Sequence, residues 1–198
     1  MTSMIKTAMK QQRIEDILLS LKKMDYLTRA QIQAIHNLKG DRNANRILFD
    51  MSEYLSSFRH EAQKVYYLNK AGRERIKCDV VRVKTPQIQH FLLRNELWIY
   101  LGKPSSWKNE MKIKVKDISL VTDAMFHINK RTMAFVEVDV SQSMKVNKMK
   151  MDKYQKIKEM TGNEFHVIWI TELESRRIKL NELMKDMPGK VYTLKEIK

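Results

Sequence analysis

The amino-acid sequence predicts an α/β protein, α+β overall, in which a mainly helical N-terminal region precedes a region of alternating strands and helices. Three observations predict this class. Apolar residues recur at helical spacing in three successive stretches between residues 11 and 58. "FHVIWIT", residues 165–171, is an almost continuous apolar run, typical of a strand covered on both faces. "VKTP", which ends at Pro86, separates the two patterns.

The composition limits the classes of function. A chain of 198 residues with 43% hydrophobic content can form one domain or two small ones. The single cysteine, Cys78, cannot form an internal disulfide, and the five histidines lack metal-ligand spacing. No apolar run approaches the roughly 20 residues of a membrane span, and no signal peptide is recognisable. We therefore expect a cytoplasmic protein without structural zinc and without membrane insertion.

The formal net charge of +15 favours anionic partners, of which nucleic acid is the most abundant. An anionic membrane surface is a lesser alternative. Proteins that are rich in lysine can also be basic without binding DNA. Charge alone therefore leaves nucleic-acid binding open.

Residues 1–80 are predicted to form three helices followed by a β-hairpin. Thr28 is the expected N-cap of the second helix, and Asp41 of the third. Two short strands are expected on either side of "HEAQ". This order is typical of a winged helix-turn-helix, whose third helix enters the major groove of DNA. The predicted inner face of the third helix comprises Ala44, Ile47, Leu48, Met51, Leu55 and Phe58.

The outer face of the third helix carries side chains that suit base recognition. Arginine can form paired hydrogen bonds with guanine, and asparagine with adenine. Phe49 lies on the same face, and an exposed aromatic residue indicates contact with DNA or protein. An ordinary solvated helix face and a protein-interaction module are the alternatives. The candidate DNA-binding residues are Arg42, Asn43, Asn45 and Arg46 on the helix, and Arg59 and Lys64 on the hairpin.

A linker is expected at residues 77–86, followed by a second domain over residues 87–198. That domain begins with a helix and a strand of alternating lysines, which is either a protective edge strand or a surface that contacts phosphates. "DAMFHIN" and "TMAFVEVDV" are predicted as a hairpin. A lysine-rich helix over 144–160, the apolar strand, a further helix and a short strand complete the domain. Four apolar residues are expected on one side of the lysine-rich helix: Val146, Met149, Ile157 and Met160.

Three acidic residues are candidates for a metal-dependent site. Asp123 is predicted to begin one strand, and Glu137 and Asp139 lie two positions apart on the next, on the same face. Converging carboxylates can hold Mg²⁺ for phosphodiester hydrolysis. The alternative is a structural interpretation, in which Asp139 ends its strand and Glu137 pairs with a nearby lysine. Mg²⁺ is expected only if the protein is a nuclease, because DNA binding itself requires no cofactor.

The element order and the acid followed by a Glu-x-basic triplet resemble the restriction-endonuclease-like fold. The resemblance implies a catalytic lysine two positions after the second acid, where this chain has Asp139 instead. An anion there would repel the scissile phosphate. Lys145, which begins the next helix, is the candidate for a displaced cation.

The whole arrangement is similar to the replication-relaxation family of bacterial plasmids and other mobile elements. The matching segments are "LTRAQI", "YYLNKAGRERI", "DAMFHI", "FVEVDVSQSMKVNKMKMDKY" and "FHVIWIT". The resemblance implies an N-terminal winged helix, an endonuclease-like C-terminal domain and a role in plasmid replication or DNA relaxation.

Three functions follow as hypotheses. The first is a DNA-binding accessory or regulatory protein that acts in replication, relaxation or transfer without cleaving DNA. The second is a metal-dependent nuclease or nicking enzyme, and the third is a protein-interaction adaptor or transcriptional regulator. Expected partners are double-stranded DNA, a second copy of the chain in a two-fold dimer, and replication or transfer proteins.

Overall fold

The computed structural model describes residues 3–198, with side chains from residue 4 onward. The chain divides into two compact units, the first ending at Asn95 and the second beginning at Glu96. Helices are combined with a mixed sheet, which confirms the α/β class. None of the helices within residues 3–198 combines the length and the apolar content that a membrane span requires.

The first unit contains three helices, a hairpin and a short fourth helix, in the order that the sequence predicts. A two-residue strand precedes the second helix and pairs with the hairpin, so the three-stranded antiparallel sheet has the order β1-β3-β2. The elements are α1 (Ser3–Met24), β1 (Leu27–Thr28), α2 (Arg29–His36), α3 (Asp41–Asp50), β2 (Leu55–His60), β3 (Gln63–Leu68) and α4 (Lys70–Arg75).

The third helix is shorter than its apolar pattern predicts. It ends at Asp50, and Leu55 and Phe58 lie on β2, so the prediction that both belong to the inner face of α3 is wrong. Their spacing continues the helical pattern, but it also fits the hairpin. Leu55 is opposite Leu68 and Phe58 is opposite Val65. Cross-strand packing outweighs the helical pattern here.

The predicted linker is attached to the first unit. Residues 78–85 form no helix or strand, yet the buried Asp25 carboxylate accepts hydrogen bonds from Arg82 at 2.6 and 2.8 Å. It also accepts one from Arg94 at 2.9 Å, on helix α5 (Ile88–Tyr100). The Tyr26 hydroxyl donates to the Val83 carbonyl at 2.6 Å. These bonds explain why the first unit extends to Asn95, beyond the predicted linker.

The second unit, apart from the end of α5, is built on a five-stranded mixed sheet of order β4-β5-β6-β7-β8. The pairs among β4, β5 and β6 are antiparallel, and those among β6, β7 and β8 are parallel. Asp123 lies inside β5, so the prediction that it begins a strand is wrong. The elements are β4 (Lys108–Val115), β5 (Ile118–His127), β6 (Met133–Asp139), α6 (Met144–Thr161), β7 (Phe165–Thr171), α7 (Glu174–Leu183), β8 (Gly189–Thr193) and α8 (Leu194–Ile197).

Helix α6 presents a different face to the sheet from the one expected. Of the predicted apolar side, only Ile157 is buried, and Val146, Met149 and Met160 are exposed. The inward residues also repeat at helical spacing: Asn147, Met151, Tyr154 and Ile157. The helix takes this orientation with two polar residues inward, and both find hydrogen-bond partners on β6, as buried polar groups require.

Candidate functional site

The outer surface of α3 carries most of the candidate DNA-binding residues. Ala44, Ile47 and Leu48 are buried, which leaves Arg42 and Asn45 exposed on the opposite side. A helix with one apolar stripe buries that stripe and exposes the rest. The sequence pattern therefore predicts this face correctly, whereas its function as a DNA-reading surface stays a prediction.

Asn43 and Arg46 have partners inside the unit. The Asn43 amide donates to the Leu38 carbonyl at 2.9 Å, and its oxygen accepts from Arg46 at 3.0 Å. Asn43 therefore stabilises the turn between α2 and α3. Arg46 also lines a small cavity between α1 and α3 together with Lys10, Arg13, Ile14, Ile47, Asp50 and Met51.

Phe49 is the most conspicuous apolar side chain on this surface, with 78% of its area exposed. Removing an aromatic ring from water is favourable, so this ring would gain from a contact with another molecule, and such a contact stays a prediction. The sequence predicts this position on the outer face, and the structure agrees.

The hairpin places two cations side by side. Arg59 on β2 is directly opposite Lys64 on β3, and both are exposed. Neither has an ion-pair partner among residues 3–198. Phe58 and Tyr67, on the same strands, pack against Tyr26 with ring-centroid distances of 6.4 and 5.9 Å. The hairpin is thus fixed by an aromatic cluster, while its cations face solvent.

In the second unit, Glu137 lies at the centre of a buried polar network on β6. Its side chain is completely buried, and one oxygen accepts a hydrogen bond from the Tyr154 hydroxyl at 2.6 Å. The other oxygen contacts the Lys150 ammonium group. Both partners come from α6, so this helix satisfies an acid that the sheet alone would leave unpaired.

Burial raises the pKa of Glu137 to about 8, and the nearby negative charge of Asp123 adds to the increase. Lys150 and Tyr154 oppose it but do not cancel it. The Glu137 carboxyl group therefore keeps its proton to a higher pH than an ordinary glutamate does. Burial and the same carboxyl group also raise the pKa of Tyr154 well above its ordinary value.

A side-chain oxygen of Asp123 on β5 accepts a backbone hydrogen bond from β6. The pairing of β5 with β6 reaches Ala124 opposite Val136, and one Asp123 oxygen then accepts the Val138 N–H at 2.7 Å. The Asp123 side chain is half-buried. This acid therefore has a structural role as a backbone acceptor while it also raises the pKa of Glu137.

Asp139, at the end of β6, forms a separate cluster. Arg176 on α7 donates to its two oxygens at 2.5 and 2.7 Å, and Asn147 donates at 2.9 Å. The same guanidinium group donates to the Gln142 carbonyl. A paired arginine and carboxylate of this geometry is one of the stronger ion pairs in proteins.

The three predicted acids do not fit a divalent cation well. Both oxygens of Glu137 are bonded to residues of α6, and Arg176 contacts both oxygens of Asp139. Among residues 3–198, no group of three or more His, Cys, Asp or Glu side chains is placed to share a metal ion. The predicted Mg²⁺ set of Asp123, Glu137 and Asp139 therefore has no preformed cradle.

The sequence offers a nearby lysine as a partner for Glu137 without identifying which one, and it offers no cation for Asp139. Lys145 is exposed on α6, and the lysine bonded to Glu137 is Lys150. A signal was present, because Lys150 interrupts the apolar side expected for that helix. No comparable signal identifies Arg176, whose contact with Asp139 depends on how α7 packs.

Comparisons with known proteins place the chain in one family. The crystal structure of protein VC1899 from Vibrio cholerae is 12% identical, with a TM-score of 0.40; the match covers 98% of this chain and 49% of that one. This chain therefore spans about half the length of that protein. No curated protein matches. The replication-relaxation family model matches residues 18–167, well over half of the chain, and the chain therefore belongs to the replication-relaxation family.

Proposed function

We propose that this protein is a DNA-binding accessory protein of a plasmid or another mobile element, and that it binds duplex DNA without cleaving it. The family suggests a role in plasmid or mobile-element replication or relaxation. The observation that carries the proposal is the exposed basic surface of the first unit. Arg42 and Asn45 on α3 and Arg59 and Lys64 on the hairpin all face solvent.

The proposed binding mode uses α3 in the major groove and the hairpin beside it. Arg42 could donate two hydrogen bonds to guanine, and Asn45 could donate one to adenine and accept one from it. The hairpin cations would contact the backbone, and the unit's charge would make binding strongly dependent on salt. If two copies bind as a two-fold dimer, the protected half-sites should lie about one helical turn apart.

The absence of cleavage is the second part of the proposal. Its support is the internal neutralisation of Glu137 and Asp139 by Lys150 and Arg176. A nuclease remains the second candidate because Asp123, Glu137 and Lys150 lie close together, and two acids with a lysine are part of what phosphodiester hydrolysis needs.

A footprint on the DNA that flanks the protein's own gene, run with and without Mg²⁺, tests both parts. We expect a protected site under both conditions, lost in Arg42→Ala and kept in Glu137→Ala, with supercoiled plasmid left intact. Absence of protection even at low salt would reject DNA binding. Mg²⁺-dependent nicking that disappears in Glu137→Ala would instead establish the nuclease.

A further inference from the structure

A concave surface of the first unit lies where α2 begins, between α3 and the hairpin. It is a cavity of about 320 Å³, open to solvent. No acidic side chain is among the residues that line it: Thr28, Arg29, Ala30, Asn45, Arg59, Ala62, Gln63, Lys64 and Tyr66. Three of the nine are cations, so the cavity has a concentrated positive charge.

The cations are held close together by the fold. Arg59 and Lys64 are directly opposite each other in the hairpin, an arrangement that like charges disfavour. The Lys64 ammonium group lies 5.4 Å from the centre of the Tyr66 ring. Arg29 is close enough to Tyr66 for its charge to oppose the burial that raises the pKa of that phenol. Tyr66 therefore has Lys64 and Arg29 as neighbours.

The backbone adds donors to the same place. Thr28 and Gln31 form a reciprocal capping box at the start of α2. The N–H groups of a helix's first turn have no acceptor within the helix, and Arg29 and Ala30, which follow the cap, line the cavity. An anion here would meet side-chain cations and the positive end of the helix together.

Arg29 has a partner that an anion could replace. Its guanidinium group lies 2.7 Å from the Asp41 carboxylate, whose side chain is 66% exposed. Because water solvates the Asp41 carboxylate, this pair contributes less than a buried pair does. Exchange of this carboxylate for a phosphate would therefore cost little.

We infer that this cavity binds one backbone phosphate of duplex DNA, with Arg29, Arg59 and Lys64 as its ligands. The inference rests on the proposed DNA-binding function and adds Arg29 and Gln63 to the residues involved. The site fixes the position of α3 on the duplex without reading sequence, because a phosphate is the same at every base pair.

The test measures binding to two duplexes of equal length and unrelated sequence over a range of KCl concentrations. Arg29→Ala and Lys64→Ala should each weaken binding to both duplexes by about tenfold near 0.1 M salt, and should lower the slope of log K against log salt by about 1. Gln63→Glu, on the exposed hairpin, should also weaken both. Asp41→Asn should strengthen both several-fold because it frees Arg29.

Lys70→Ala is the matched control, since it removes one charge from a side chain that is 84% exposed and outside the cavity. Circular dichroism checks that each variant is folded. Cavity variants that behave like Lys70→Ala would overturn the phosphate site alone. Losses that differ between the two duplexes would also overturn it, in favour of base reading. A wild-type protein that binds neither duplex at low salt would overturn the proposed function itself.

Discussion

The hairpin of the first unit and strand β6 of the second use charged residues in opposite ways. In the first unit, Arg59 and Lys64 face solvent with no ion-pair partner among residues 3–198. In the second, Glu137 and Asp139 are completely buried, and a lysine and an arginine from neighbouring helices contact them. Exposed cations remain available to an external anion, whereas the buried acids already have partners in their own chain. Charge type alone therefore does not identify a binding site.

Removing the cation of a buried pair should have the largest effect on stability. Arg176→Ala leaves the Asp139 carboxylate buried without its guanidinium partner, and loss of one partner of a buried pair costs about 3–5 kcal/mol. Arg176→Lys should lie between the wild type and the alanine variant, because lysine cannot form the paired contact. Urea denaturation measures the free energy of unfolding.

Arg177→Ala is the neighbouring control. Arg177 pairs with Glu174 on the surface of α7, so its removal should change stability far less than the removal of Arg176 does. Equal losses in Arg176→Ala and Arg177→Ala would show that burial does not distinguish these two pairs.

Glu137 should make stability depend on pH. Its pKa is raised from 4.5 to about 8 in the folded protein. Between these values the unfolded chain releases a proton that the folded chain keeps, so rising pH favours unfolding. The stability of the wild type relative to Glu137→Gln should therefore fall as pH rises from about 4.5 to about 8, and then level off. Thermal melts across this range measure the difference.

Glu174→Gln provides a control of opposite sign. A hydrogen bond from Arg177 lowers the pKa of Glu174, so any stability that it contributes is present above pH 4.5 and is lost as pH falls below that value. If the wild type and Glu137→Gln had parallel pH profiles, Glu137 would be ionised in the fold and its carboxylate would be available as a ligand.

Loss of a base-reading side chain on the exposed surface should have a moderate effect. Under the proposed function, Arg42→Ala should cost about 1–3 kcal/mol of binding to the preferred DNA site and less on unrelated DNA. Fluorescence anisotropy with both duplexes measures the two affinities. An equal loss on both would assign Arg42 to the backbone rather than to the bases.

Local patterns in the sequence predict most of the elements. The apolar stripes of α2 and α3, the capping residue Thr28 and the apolar run of β7 each depend on residues close together in the chain. In helix α6, the local pattern does not identify which face is buried. Two different stripes fit its helical period, and the buried one contains Asn147 and Tyr154 because acids on β6 accept their hydrogen bonds. A polar partner on a distant strand is not visible in the helix's own pattern.

The candidate functional residues also divide into those whose surroundings the sequence predicts and those whose surroundings depend on distant elements. Exposure of Arg42 and Asn45 follows from the burial of the opposite side of one helix, so the sequence predicts it. The surroundings of Glu137 depend on α6, and those of Asp139 on α7. The spacing of Glu137 and Asp139 correctly predicts that they share a face of β6. A lysine partner for Glu137 is among the sequence-based interpretations, but the arginine partner of Asp139 is not.

Phe49→Ala should have the smallest effect on stability. The ring is 78% exposed, so its removal leaves no cavity and should change the free energy of unfolding by no more than about 0.5 kcal/mol.

The effect of Phe49→Ala on binding distinguishes a DNA-binding surface from a protein-binding surface. If α3 reads DNA, Phe49→Ala should reduce DNA affinity less than Arg42→Ala does, because an apolar ring donates no hydrogen bond to a base edge. If the surface instead binds a replication or transfer protein, Phe49→Ala should abolish capture of that protein, while Arg42→Ala and Arg46→Ala leave capture intact. DNA affinity and protein capture should both be measured for Phe49→Ala, Arg42→Ala and Arg46→Ala. The pattern of losses shows whether the exposed arginines or the exposed ring of the first unit carry its function.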